Sequence, residues 1–122
     1  MSREIKFAFW HNWKKEMWGV DSINWVYKEV WNGGDGASLN DGVLLQYTGF
    51  VDKNGKKIYE GDVVKSNNNH LFVINFKYGS FGANWIKDDF VWHSFATNSF
   101  IEKKFEIVGN IYENPKLITE EK

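Results

Sequence analysis

Apolar and polar side chains alternate along several short segments of this chain. The first such segment runs from Ile5 to Phe9, and the longest runs from His70 to Tyr78. Successive side chains of a β-strand point to opposite faces, so a period of two predicts strands that are buried on one side. Residues 23–31 are rich in aromatic and β-branched side chains and show no apolar stripe at helical spacing, so they predict one further strand.

Short turns separate these segments. Gly follows Asn or Asp at four places, as is typical of tight turns between strands: Asn32-Gly33, Asp35-Gly36, Asp41-Gly42 and Asn54-Gly55. The pattern predicts an all-β fold in a single domain, residues 1–122. We expect an N-terminal β unit with a hairpin over residues 1–31, and a small bent sheet or SH3-like barrel over residues 43–113. The glycine-rich residues 32–42 predict a flexible loop, and residues 114–122 a tail that frays or forms a short helix.

Aromatic side chains are unusually frequent, with seven Trp, five Tyr and ten Phe among 122 residues. A buried ring hides about 150–250 Å² of surface, so one slim β core cannot hide them all. Clusters of exposed aromatic side chains usually mark an interface. Five tryptophans lie near the start of the chain, and we expect them to form a self-association surface: Trp10, Trp13, Trp18, Trp25 and Trp31.

The overall charge and the absence of cysteine narrow the possible partners and compartments. The net charge of −1 provides no general attraction for a polyanion. Because the chain has no Cys, disulfides and Cys-ligated metals are excluded, and a reducing compartment is favoured. No segment has the pattern of a signal peptide or approaches the ~20 apolar residues of a transmembrane helix. We therefore expect a cytoplasmic protein that does not bind a membrane.

Five blocks of the sequence together resemble a known family. The blocks are Lys6-Phe7 with Trp10, residues 46–49, residues 52–56, residues 58–64 and residues 108–115. Their order and spacing are similar to those of the YopX-like family of phage and prophage proteins. The most specific parts are the YTG, DKNG and IYEGD motifs and the closing GNIYENP motif, whereas residues 20–42 are least alike.

The resemblance implies a mainly-β fold and a phage or prophage origin, in the cytoplasm of a bacterial host cell. It implies no activity, cofactor or catalytic residue. The chain has Ala8 and His11 where the family often has Arg and Asp. A charged function of the first hairpin is therefore not expected here.

Glu60 and Asp62 are the carboxylates best placed for chemistry, because residues i and i+2 of an extended segment share a face. Such a pair can bind a metal ion or act in acid–base catalysis. No third ligand or basic partner lies nearby in the sequence, whereas a turn at Gly61 would let Asp62 accept backbone N–H groups. We favour the turn, and we expect no catalytic, metal-binding or cofactor-binding residue and no enzymatic activity.

The three histidines lack the spacing of metal ligands. His70 and His93 could meet across neighbouring strands and begin a metal site, but surface or cross-strand positions are the favoured interpretation. His11 stands alone in the sequence.

A second class of function is binding of single-stranded nucleic acid. Bases stack on exposed rings at about 1–3 kcal/mol each, and small barrels often bind single strands in this way. The candidate surface combines two tryptophans with three lysines: Trp85, Trp92, Lys65, Lys77 and Lys87. Asp88 and Asp89 lie among the same rings and would repel phosphates, so this reading is not the favoured one.

The sequence therefore favours a non-enzymatic phage or prophage module that binds a phage or host protein, or assembles with itself, through aromatic surfaces. The alternative is a single-strand nucleic-acid-binding barrel. A metal-assisted hydrolase using Glu60 and Asp62 is the least favoured of the three.

Overall fold

A computed structural model describes residues 4–95 and 104–121 of the chain. The chain divides into two compact units, Met1–Tyr47 and Thr48–Lys122, and strand β6 crosses the boundary between them. Almost all regular structure is β, so the all-β class predicted from the sequence is confirmed. Among the described residues the α-helix α1 (Lys116–Glu121) is the only one, and no helix there is long and apolar enough to cross a membrane.

The first unit contains five short strands and the start of a sixth. They are β1 (Phe7–His11), β2 (Glu16–Gly19), β3 (Ser22–Asn24), β4 (Glu29–Asn32), β5 (Asp35–Ser38) and β6 (Gly42–Val51). Antiparallel β3, β4 and β5 form one three-stranded sheet, and β1 pairs with both β2 and β6. A 3-10 helix, Leu39–Asp41, joins β5 to β6, and the Ser38 side chain caps it by accepting the N–H of Asn40 at 3.1 Å.

The core of the first unit forms between its two groups of strands. Phe9 on β1, Trp18 on β2 and Val30 on β4 are buried together. The register places Phe9 opposite Trp18, so both side chains lie on the same face of the β1–β2 pair. Five partly buried apolar residues complete this core: Val20, Ile23, Ala37, Leu39 and Leu44.

The second unit is built on a five-stranded antiparallel sheet. Its strands are β8 (Asp62–Lys65), β9 (Leu71–Lys77), β10 (Ser80–Trp85), β11 (Asp88–Ser94) and β12 (Glu106–Asn110), in the spatial order β11-β10-β9-β8-β12. Strand β7 (Lys57–Tyr59) is instead hydrogen-bonded to β6.

Both faces of the five-stranded sheet contribute to a core. On one face Phe72 and Ile74 pack with Val64 and Ala83. On the other face Val63 and Leu71 pack with Leu117 and Ile118 at α1, which covers that part of the sheet. The alternation read from His70 to Tyr78 therefore corresponds to a real strand, although its two faces are both partly apolar.

Two local predictions for the first unit are wrong. Residues 32–42, predicted as a flexible loop, contain β5 and the 3-10 helix. Their glycines do not prevent pairing, because the ladder between β4 and β5 needs only backbone groups, and Gly36 leaves room for the ring of Trp31 opposite it. Residues 23–31, predicted as one strand, are two strands joined by a turn over residues 25–28, since Asn24 starts that turn by accepting the N–H of Tyr27 at 3.0 Å.

Candidate binding surfaces

The turn between β1 and β2 presents a tryptophan and two lysines to solvent. It spans residues 12–15, with His11 paired to Glu16 across its base. Lys15 has a positive φ of 56°, and its N–H donates to the carbonyl of His11 at 2.9 Å. Trp13 is 67% exposed, yet its ring is held edge-on to the buried ring of His11, 4.6 Å between centroids, with the Nζ of Lys14 5.7 Å from the Trp13 ring.

The turn between β3 and β4 has the same layout and carries more apolar surface. It spans residues 25–28, with Asn24 paired to Glu29, and Lys28 has the same positive φ of 56°. Trp25, Val26 and Tyr27 are 63%, 84% and 73% exposed. Three consecutive large apolar side chains thus project into solvent from a hairpin whose shape is fixed by Asn24 and by strand pairing.

Both turns lie at the same end of the first unit. The carbonyl of Lys28 accepts the N–H of Leu39 at 2.8 Å, and the carbonyl of Asp41 accepts the N–H of Asn12 at 2.9 Å. Leu39 and Asp41 are the first and last residues of one 3-10 helix, so their Cα atoms are at most about 7.6 Å apart. We call this surface the aromatic end and define it as Trp13, Trp25, Val26 and Tyr27 with Lys14, Lys15 and Lys28.

A short internal repeat underlies the aromatic end, and the sequence reading missed it. Lys15-Glu16-Met17-Trp18 and Lys28-Glu29-Val30-Trp31 share the pattern Lys-Glu-x-Trp, and each follows an Asn-Trp pair. In both copies the lysine is the last turn residue and the glutamate begins the returning strand. The signal was therefore present in the sequence, as two copies separated by thirteen residues.

The structure divides the five tryptophans that were predicted to form one self-association surface. Trp10 and Trp18 are buried, and Trp18 belongs to the core with Phe9. The ring of Trp31 lies over Gly36, and Trp31 is just over one-third exposed. It points to the other face of β4 from the buried side chain of Val30. Trp13 and Trp25 are the two that project from the aromatic end.

The residues predicted for nucleic-acid binding do not share one face. Trp85 pairs with Phe72 and packs against the core, whereas Trp92 pairs with Asn84, the residue before Trp85. Neighbouring residues of a strand point to opposite faces, so the two indoles cannot form one stacking platform. Lys77 and Lys87 are exposed and Lys65 is half-buried, and Lys65 pairs with Leu71 at the far end of β9 from Lys77.

Trp92 takes part in a chain of side-chain hydrogen bonds. Its Nε1–H donates to Asn75 Oδ1 at 2.8 Å, Asn75 Nδ2 donates to Asn84 Oδ1 at 2.6 Å, and Asn84 Nδ2 donates to the carbonyl of Asp89 at 2.8 Å. The register of β10 and β11 shifts at Asn84, so this chain of bonds fixes a bulge in β11. Phe90, within the bulge, is almost fully exposed.

Asp62 stabilises a turn, as the sequence predicted. Its Oδ2 accepts the N–H of Tyr59 at 2.8 Å, and Gly61 has a φ of 86°. The pKa of Asp62 is raised to about 6, mainly by burial and also by the charge of Asp52, while the hydrogen bond from the N–H of Tyr59 and the charge of Lys56 act in the opposite direction. Burial raises the pKa of Tyr112, and the negative charge of Glu60 raises it further. Within residues 4–95 and 104–121, no three His, Asp or Glu side chains gather as metal ligands would.

The histidines contact aromatic rings. The ring of His70 meets that of Trp85 edge-on, and the ring of His93 meets that of Phe72 in the same way, with centroid distances of 5.2 and 6.0 Å. His11 is buried, and its Nδ1 accepts the N–H of Lys14 at 3.3 Å, which orders the first turn of the aromatic end.

Asp52 is a buried carboxylate whose role was not read from the sequence. Its Oδ1 accepts the N–H groups of Asn54 and Lys56, and its Oδ2 accepts the N–H of Ile107 on β12 at 3.0 Å. Burial favours the neutral carboxyl, but these three bonds and the charge of Lys56 hold the pKa of Asp52 below its ordinary value. Asp52 therefore ties the turn of the DKNG motif to a strand more than fifty residues away.

The fold is similar to that of a known bacterial protein. The crystal structure of protein EF1440 from Enterococcus faecalis matches with a TM-score of 0.71 and 23% sequence identity, covering 96% of this chain and 99% of that one. A likeness at this identity shows the fold alone.

Sequence comparison identifies the family. No curated protein matches the chain. The model of a family described as YopX protein matches residues 6–119, which include both turns of the aromatic end and the Asp52 turn. The chain therefore belongs to the YopX protein family.

Proposed function

We propose that this chain is a non-enzymatic binding module that uses the aromatic end to bind a protein surface. The observation that carries the proposal is the pair of adjacent turns from which Trp13, Trp25, Val26 and Tyr27 project. Trp and Tyr are the residues most often found at the energetic centre of protein interfaces. The resemblance of the sequence motifs to the YopX-like family of phage and prophage proteins favours action inside a bacterial host cell.

The rigidity of the two turns supports a binding role. Lys15 and Lys28 both adopt a backbone conformation that L-residues with side chains rarely take, and each turn is fixed by a hydrogen bond at its base. A surface that is ordered before binding loses little conformational entropy when a partner covers it. The exposed rings are therefore positioned for contact without needing a large rearrangement.

The geometry of the carboxylates supports the non-enzymatic reading. Asp62 and Asp52 both accept backbone N–H groups in turns, so each has a structural task that explains its burial. The alternative function, stacking of single-stranded nucleic acid, is less well supported, because Trp85 and Trp92 lie on opposite faces of the sheet.

Photo-crosslinking inside bacterial cells tests the proposal. A photoreactive amino acid replaces Val26 at the aromatic end, and in a matched control it replaces Tyr78, an even more exposed residue of the second unit. We expect the Val26 position to give discrete crosslinked protein species, which disappear when Trp25→Ser and Tyr27→Ser are added. A Val26 probe that captures no protein, or only the same background as the Tyr78 probe, would refute a protein-binding role for this surface.

A further inference from the structure

We infer that the aromatic end binds the same surface of a second copy of this chain, so that the protein forms a symmetric dimer. The inference rests on the proposed function, because it names the partner of that same surface. Three properties of the surface favour a second copy over other partners: its balanced charge, the paired position of its charges and its apolar area.

The charge of the aromatic end and its borders is balanced. The aromatic end itself carries three lysines, and three carboxylates at its borders balance them: Lys14, Lys15, Lys28, Glu16, Glu29 and Asp41. Binding of nucleic acid or of an anionic bilayer depends on an excess of Lys and Arg. A surface with equal numbers of both signs has no such excess, but it can be complementary to itself.

The repeat arranges these charges so that self-complementarity is possible. Lys15-Glu16 and Lys28-Glu29 occupy the same positions in their two turns. A two-fold contact brings residue i of one copy against residue j of the other, and j against i. If the first turn of one copy faces the second turn of its partner, Lys15 meets Glu29 twice and the apolar turn residues meet between these pairs.

The apolar area is sufficient for a dimer of moderate stability. From the exposures of Trp13, Trp25, Val26 and Tyr27, these side chains present roughly 400–600 Å². That is about half to three-quarters of the ~800 Å² that each partner buries in an interface of standard size. The lysine stems and the turn backbone can supply much of the remainder, so we expect a weak dimer with a dissociation constant in the micromolar range.

Sedimentation equilibrium of the purified full chain tests the inference. At concentrations up to about 200 μM, well above the expected dissociation constant, we expect the mass of a dimer. The double variant Trp25→Ser with Tyr27→Ser should weaken dimerisation at least about tenfold, because it removes two exposed rings that are not part of the core. A matched control, Tyr78→Ser with Phe90→Ser, removes two exposed rings of the second unit and should leave dimerisation unchanged.

Charge reversal tests the proposed pairing. Lys15→Glu alone and Glu29→Lys alone should each weaken the dimer, and the combination of both in one chain should restore it. Circular dichroism of each variant verifies that the fold is retained. Full dimerisation of either single variant would contradict the Lys15–Glu29 contact.

The outcomes separate this inference from the proposed function. A wild-type chain that stays monomeric at about 200 μM overturns the dimer, as does a dimer that survives the loss of Trp25 and Tyr27. If such a monomer still gives crosslinks to a different protein through Val26 in cells, the dimer is wrong but the proposed function stands. Binding of the monomer to a 20-nucleotide single strand or to phosphatidylglycerol vesicles through the aromatic end would likewise overturn the dimer.

Discussion

Replacing Asp52 with alanine should destabilise the second unit more than any other single change in its turns. The Asp52 side chain is only 6% exposed and accepts three backbone N–H groups, from Asn54, Lys56 and Ile107. The bond to Ile107 joins the start of β12 to a turn that is distant in sequence, and the N–H of Lys53 donates to the carbonyl of Phe105 beside it. Loss of the carboxylate therefore loosens both the turn and the attachment of β12.

The magnitude follows from the three donors. A hydrogen bond to a charged group contributes about 1.5–3 kcal/mol, and a buried donor left without a partner costs about 1–3 kcal/mol. The N–H groups of Asn54 and Lys56 lie in a surface turn and can be hydrated after the change, so each should cost about 1 kcal/mol. With the full cost at Ile107, Asp52→Ala should lower the free energy of unfolding by about 3–5 kcal/mol, a large part of the 5–15 kcal/mol typical of a domain.

Asp52→Asn should give an intermediate loss, because an amide has one acceptor oxygen for three donors. Urea unfolding at pH 7, followed by tryptophan fluorescence, measures the free energies, and hydrogen exchange of the Ile107 amide reports on the attachment of β12. Lys53→Ala is the matched control in the same turn. It removes a largely exposed ion pair with Glu106, 3.7 Å between Nζ and Oε1, and should cost less than about 1 kcal/mol.

The pH dependence gives a second check on Asp52. Its pKa is lower in the folded chain than its ordinary value of 3.8. The stability that the carboxylate contributes is therefore fully present above pH 3.8 and is lost as the pH falls through the folded pKa. The difference in the free energy of unfolding between wild type and Asp52→Ala should therefore become smaller in acid. If Asp52→Ala unfolds within about 1 kcal/mol of wild type at pH 7, the three bonds do not have the role assigned to them.

Two further changes test other parts of the second unit. Asp62→Asn keeps an oxygen for the N–H of Tyr59 but cannot ionise. Because the pKa of Asp62 is raised to about 6 in the folded chain, the free energy of unfolding of wild type should fall by up to roughly 3 kcal/mol as the pH rises from 3.8 to 6, and that of the variant should not. Equal shifts of the urea midpoint from pH 4 to pH 7 in both proteins would contradict this. Gly82→Ala would place a Cβ 2.5 Å from the ring of Trp92 and 2.6 Å from the carbonyl oxygen of His93. The change should therefore shift the fluorescence of Trp92 and lower the free energy of unfolding by about 1–3 kcal/mol. An unchanged emission spectrum and urea midpoint would mean that the ring does not lie over Gly82.

The strands of the second unit were the most predictable part of the fold. The alternation from His70 to Tyr78 indicated β9, and the turn at Gly61 indicated the bond that Asp62 accepts. These features depend on side-chain period and on turn chemistry, which act over a few residues. A single sequence contains that information directly.

The faces of the tryptophans could not be predicted in the same way. Trp18 and Trp31 occupy equivalent positions after their turns, yet Trp18 is buried and Trp31 is partly exposed. The difference arises because Val30, rather than Trp31, occupies the core side of β4. Which face of a short strand meets the core depends on the other strands of the unit, and that information is not local. The strand β5 could not be predicted either, because its composition is typical of a loop and its pairing with β4 makes it a strand.

The two turns of the aromatic end differ from turns optimised for stability. Gly or Asn is the usual residue where φ is positive, because a side chain there adds strain. This chain has Lys15 and Lys28 at those positions and surrounds them with exposed Trp13, Trp25 and Tyr27. Departures from local preference are expected where a protein uses a surface for function and compensates elsewhere. The same backbone conformation also occurs at Tyr78 and Lys104 in the second unit, whereas Lys15 and Lys28 share one position in two adjacent turns with the Lys-Glu-x-Trp pattern. We therefore expect one requirement of the aromatic end to underlie both turns.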